Sequence, residues 1–158
     1  DIDPHIIDIL PKELLNKVKV IDIDKYLNEL PSDKVFDRIL LIDVLEHFNP
    51  NQAVILLEKL RKRLKNTGGI VVKVPNNGSP WGGGYQYGDL THKSSFNSFS
   101  LRQLGIKAGL HCKVFPHRTG NPRKQILENI FHSIIELFLT EPPEIWSANL
   151  ISYFTKKV

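Results

Sequence analysis

The run FDRILLID at residues 36–43 constrains the fold more than any other segment. Its apolar residues are nearly continuous, the mark of a strand covered on both faces rather than one half in water. A second such run, IVVKV at 70–74, follows a segment with helical periodicity. There Asn49 and Pro50 form a cap-and-start pair, and Ala53, Leu56, Leu57, Leu60 and Leu64 make the apolar stripe. Gly68-Gly69 is the expected stop. A strand, a helix and a strand in this order call for a crossover connection and a parallel pair.

The same alternation extends along the chain. Residues 1–3 read as the end of a strand, and Pro4 suits the first turn of a helix over 4–16. VKVIDID at 18–24 alternates like a strand, and a short helix is expected at 25–30, closed by Pro31. A glycine-rich irregular stretch occupies 76–89, followed by a helix near 99–109, a strand at 111–115, a long amphipathic helix over 122–140 and a final strand at 149–155. The expected fold is α/β: a Rossmann-like, doubly wound, mostly parallel sheet with helices on both faces, built as one domain over 1–158. In such sheets ligands bind at the carboxyl ends of the strands. Asp1 and Asp3, Asp22 and Asp24, Asp43, and Asn76 and Asn77 all fall at predicted strand ends, so a ligand edge is expected there.

Composition narrows the function classes. With 158 residues, 41% hydrophobic and 24% charged, the chain matches an ordinary globular domain. Its net charge of +4 is spread along the sequence. Only KLRKRLK at 59–65 is dense, and its charges alternate with leucines as on the solvated face of a helix, so no nucleic-acid partner is expected. No apolar run approaches the roughly 18 residues needed to span a bilayer. The lone cysteine, Cys112, excludes an internal disulfide and a cysteine-rich zinc site, and is compatible with the cytoplasm, the expected location.

In order and spacing, DIDP, VIDID, FDRILLIDVLEHF and LKNTGGIVVKVPN resemble the later motifs of class I S-adenosylmethionine-dependent methyltransferases. YGDLTHKSSFNSFSLRQLGIKAGL resembles a segment of a subgroup that often acts in saccharide or cell-surface polymer pathways. Together these cover almost the whole chain. The family's opening strand and glycine-rich turn have no counterpart, and the first residues already match its second strand. The resemblance therefore implies that the first strand is missing here and that the natural protein has residues upstream of Asp1.

The resemblance implies S-adenosylmethionine as cofactor, S-adenosylhomocysteine as product, and methyl transfer to a hydroxyl or amine of a small-molecule or saccharide-linked acceptor. It places Asp1, with Ile2 beside it, at the ribose hydroxyls. Asp24 falls at the adenine amino group with Ile23 beside the ring, and Asp22 competes for that role. Asp43 and Val44 fall beside the methionine end. Glu46 reads as turn chemistry.

Methyl transfer from a sulfonium needs alignment of two reactants and removal of a proton. Histidine has suitable acidity, so His47 and His92 are candidate bases, with Asp89 able to orient His92. The alternative for each histidine is a structural hydrogen bond. A metal reading would use Asp43, Glu46, His47, Asp89 and His92, but no tight ligand spacing such as H-x-x-x-H occurs, and none is expected. His5, His111, His117 and His132 show no partner pattern. PWGGGYQYG at 80–88 suits a lid or sugar-stacking loop. The helix at 122–140 is expected to pack on the sheet, a homodimer contact being the alternative. A non-catalytic scaffold of the same fold, and a nucleotide- or NAD-dependent Rossmann enzyme, are the competing functional readings.

Overall fold

Within Val35–Val158 the computed structural model forms one four-stranded sheet from β1 (Phe36–Ile42), β2 (Leu64–Pro75), β3 (Leu110–Pro116) and β4 (Asn149–Lys156), in the order β1-β2-β4-β3. The structure describes residues 4–157, except the side chain of Ile6. Asp1 and Ile2, and the strand expected at 1–3, lie outside the described residues. Strands β1 and β2 pair in parallel across the crossover helix α3 (Pro50–Lys62), as the sequence predicts. The final strand inserts antiparallel between β2 and β3. Three strands therefore point one way and the fourth against them.

The ladders register one face row by row. Ile39, Ile70, Phe154 and Cys112 form one row, and Leu41, Val72, Ser152 and Val114 the next. Helices α3 and α5 (Ser98–Lys107) pack against each other and the sheet, burying Ala53, Leu56, Leu57, Leu60, Leu101 and Leu104 with these rows. Burial pushes the Cys112 thiol up to about 12, which leaves it protonated and unreactive at neutral pH. The other face carries Leu40, Ile42 and Phe115, all exposed, with Leu40 at 66%.

Helix α3 stops earlier than its apolar stripe suggests. Leu64 belongs to β2 rather than to the helix, because the Phe36 amide donates to the Arg63 carbonyl at 2.8 Å and Leu64 pairs with Phe36. Lys65 then holds both oxygens of Asp37 at 2.9 Å where the register shifts.

Asp1–Lys34 forms a separate compact unit. The helix expected over 4–16 is broken in two. Helix α1 (Ile6–Ile9) ends as Leu10 turns extended (ψ 143°) before Pro11, and a 3-10 turn follows at Lys12–Lys17. Proline excludes the helical conformation from the residue before it. The strand expected at 18–24 does not form, since no described strand pairs with that segment. Instead Asp22 caps α2 (Ile23–Glu29), its carboxylate accepting from the Asp24 and Lys25 amides at 2.9 and 3.1 Å.

Helix α6 (Pro122–Glu136) also departs from expectation. Ile126, Leu127, Ile130, Phe131 and Ile134 face solvent rather than the sheet. His132 is its buried residue, stacked on Trp146 with centroids 4.4 Å apart and accepting from the Trp81 indole at 3.1 Å. Trp146 donates in turn to Glu136 at 2.6 Å. The helix is held by this aromatic and polar sandwich, which no periodicity argument could reveal. Trp81 is thereby tied to α6 while keeping an exposed edge, and Tyr85 and Tyr87 are the more exposed rings of the 80–88 stretch. No described helix is long and apolar enough to cross a membrane.

Two predictions follow from the core and its rim. Ser152 is fully buried and its hydroxyl has no hydrogen-bond partner. Ser152→Ala should therefore be neutral or stabilise by up to about 1 kcal/mol, whereas Phe154→Ala should cost roughly 3–5 kcal/mol, both read by urea unfolding. Glu144 accepts from Ser98 and pairs with Arg102, and the guanidinium holds its carboxyl down to about 2. A depressed carboxyl contributes stability above its unfolded value and loses it as pH falls. The loss should run between about pH 4.5 and about pH 2, and be smaller in Glu144→Gln by no more than about 1 kcal/mol for this partly exposed pair.

Candidate functional site

The end of β1 turns sharply. Asp43 has φ +52°, the left-handed region that few non-glycine residues adopt, and its carboxylate is clamped by Lys73 Nζ at 2.6 and 2.9 Å. Val44 precedes a single 3-10 turn, Leu45–His47, and Asn49 then caps α3. The turn places Leu45 and Glu46 in the interior and His47 at its rim.

The loop after β2 completes the site. Lys93 and Ser94 amides both donate to the Glu46 carbonyl, at 2.8 and 3.0 Å. The Ser94 hydroxyl donates to the Phe48 carbonyl at 2.7 Å. These bonds stitch residues 46–48 to residues 93–94 and bring Asp89, Thr91 and His92 against Glu46 and His47.

Hydrogen bonds determine the state of each imidazole. Thr91 donates its only hydroxyl proton to Asp89 Oδ1 at 2.6 Å, and Asp89 also accepts the Thr91 amide at 2.8 Å. The Thr91 hydroxyl must then accept at its other contact, so His47 Nδ1 donates to it at 2.9 Å. His92 Nδ1 lies 2.8 Å from the Gln86 carbonyl, which can only accept. Both rings therefore carry Nδ1–H, leaving Nε2 as the nitrogen with a lone pair. The rings meet edge to face with centroids 4.9 Å apart.

Two carboxylates flank His92: Nε2 is 4.0 Å from Glu46 Oε1 and 3.9 Å from Asp89 Oδ2. Asp89 is held below the usual carboxylate range by the Thr91 hydroxyl and amide. Glu46 is fully buried, and neither of its oxygens has a hydrogen-bond partner. Burial raises its carboxyl above the ordinary value and the charge of Asp43 adds to that, against the pull of its own amide and the two imidazoles. Glu46 is thus not simple turn chemistry.

The candidate catalytic residues His47, His92 and Asp89 are brought together in one cluster. Asp43 and Val44 lie on the same turn as Glu46 and His47. Ile23 and Asp24 lie in the first turn of α2 in the other unit, and Asp22 is the cap of that helix rather than a strand-end acid. The sequence reading missed Thr91 and Gln86, which set the tautomers. The spacing D-x-T in DLTH, which favours an Asx turn, was the available signal for Thr91. For Gln86, which acts through its backbone, there was none. A separate cleft of ≈ 480 Å³ runs beside α6, with Trp81, Tyr85, His132 and Trp146 among its walls.

The tautomers can be checked by long-range nitrogen–proton NMR. Both histidines should show protonated Nδ1 at neutral pH, and Thr91→Val should release His47 while leaving His92 unchanged.

No family model matches the sequence, and no curated protein does. Solved structures do match. A SAM-dependent methyltransferase from Archaeoglobus fulgidus superposes with TM-score 0.68 at 21% identity, covering 99% of this chain and 74% of that one. Mitomycin 7-O-methyltransferase gives 0.60 at 12% identity over 92% of this chain, which spans 36% of that protein. A SAM-dependent methyltransferase from Thermotoga maritima gives 0.55 at 21% identity, with 83% and 61% covered. With the parallel β1-α3-β2 unit and the reversed last strand, these likenesses establish that the chain has the fold of class I S-adenosylmethionine-dependent methyltransferases.

Proposed function

We propose that the protein transfers a methyl group from S-adenosylmethionine to a hydroxyl or amine of a small-molecule or saccharide-linked acceptor. The observation that carries this reading is the fold likeness over 99% of the chain to a SAM-dependent methyltransferase. The polar cluster at the end of β1 supports it, since strand ends are where ligands bind in such sheets. An O-methyltransferase of the same fold, 17% identical over 80% of this chain, was solved with S-adenosyl-L-homocysteine and a dihydroxynaphthoic acid.

In this reading Asp43 and Val44 border the methionine portion of the cofactor, while the roles of Asp1, Ile2, Ile23 and Asp24 rest on the sequence resemblance alone. S-adenosylmethionine would supply the methyl group, which the acceptor's oxygen or nitrogen would take as the sulfur–methyl bond breaks and S-adenosylhomocysteine forms. His92 takes the acceptor's proton on Nε2, because Nδ1 is already committed to Gln86. The carboxylates of Asp89 and Glu46 lie 3.9 and 4.0 Å from Nε2. His47, tied to Asp89 through Thr91, positions the acceptor. The saccharide-linked class is supported by the resemblance of residues 87–110 to a subgroup that often acts in saccharide pathways.

Calorimetry on the full-length protein should detect S-adenosylhomocysteine binding. Its absence would sink the reading in favour of a non-catalytic module. With an acceptor in hand, His92→Gln should lower kcat by roughly 10²–10⁴-fold, with product affinity little changed.

A further inference from the structure

Glu46 poses the sharpest physical problem in the molecule. A carboxylate with no exposure and no hydrogen-bond partner costs several kcal/mol unless something compensates it. Two imidazoles lie beside it, and the charge of Asp43 adds to its cost. One ligand atom from each of Glu46, His47 and His92 lies within 4.8 Å of the others. We propose that these three residues bind a divalent transition-metal ion, leaving coordination positions open to an oxygen donor from outside.

The donor set fits such an ion. Two neutral imidazoles and one carboxylate suit Zn²⁺, Co²⁺, Mn²⁺ and Fe²⁺, and three protein ligands are what sites with an open position use. Both histidines are prepared for it. His47 Nδ1 donates through Thr91 to Asp89, and His92 Nδ1 donates to the Gln86 carbonyl, so each ring keeps its Nε2 lone pair. An outer hydrogen bond of this kind is the usual support of a metal-bound imidazole, fixing its tautomer and raising its basicity. The ion would also neutralise the buried Glu46.

Ligand atoms around a coordination sphere of about 2.1 Å radius sit roughly 3–3.5 Å apart, so binding would draw the three side chains together by about 1 Å. The lone pair on His92 cannot serve the ion and a proton together. With the ion bound, the histidines would act on the acceptor through the metal, which polarises an oxygen bound to it. The metal site stands independently of the methyl-transfer reading, because ion binding is measured without cofactor or acceptor.

The test is Co²⁺ titration of the chelator-stripped, full-length protein, followed by calorimetry and visible absorption. One ion per chain is expected, with ligand-field bands of a nitrogen and oxygen environment. Glu46→Gln and His92→Gln should each weaken binding at least about tenfold, and Thr91→Val, which removes an outer support, roughly tenfold. His111→Gln, at an exposed position on β3, should leave binding unchanged. X-ray absorption of the unsubstituted cobalt-loaded protein should count two imidazoles, which keeps the test open should a variant not fold. Failure to bind Co²⁺ at millimolar concentration, binding that survives both ligand substitutions, or a spectrum without two imidazoles would overturn the proposal.

Discussion

Strand β4 is the element on which the sheet depends. It supplies the hydrogen-bonding partner for one edge of β2 and for β3, and β3 has no other described neighbour. Backbone groups buried without partners cost about as much as lost hydrogen bonds, so β3 cannot join the sheet until β4 arrives. The last strand in sequence thus completes the middle of the sheet. Asn76, at the end of β2, reinforces that insertion by donating to the Ile145 and Ser147 carbonyls at 2.8 and 2.9 Å. The approach to β4 is thereby tied to the loop that leaves β2.

That same loop then reaches the end of β1. The amides of Lys93 and Ser94 satisfy the Glu46 carbonyl, and the chain between them and β2 carries Gln86, Asp89, Thr91 and His92 into place. The site is therefore a product of two segments more than 40 residues apart, locked by backbone hydrogen bonds. Side chains on such a frame keep their geometry because their anchors are peptide groups, not flexible contacts. The tautomers of both histidines follow from this arrangement without any ligand.

Much of the fold was legible in the residues. The FDRILLID and IVVKV runs, the Asn49-Pro50 cap and the stripe of α3 led directly to the parallel pair. Local signals misled where their tertiary partner was absent or unexpected. VKVIDID alternates like a strand, yet alternation makes a strand only beside a neighbour, and the capping carboxylate of Asp22 won instead. The apolar stripe of α6 promised packing on the sheet, but the helix is anchored by His132 between Trp81 and Trp146. In the site, DVLEH and DLTH drew attention to His47, Asp89 and His92, while Glu46 was passed over as a turn residue. Whether a carboxylate is buried depends on what closes over it, and a single strand end does not carry that information.

From β1 onward the order of the strands and longer helices, and the identity of the polar groups at the end of β1, were determined by sequence alone, because periodicity and capping are properties of neighbouring residues. Tertiary structure decided the reversed place of β4, the exposure of α6 and the burial of Glu46 between two imidazoles. Each of those depends on hydrogen bonds and burial between residues far apart in the chain, which local pattern does not encode.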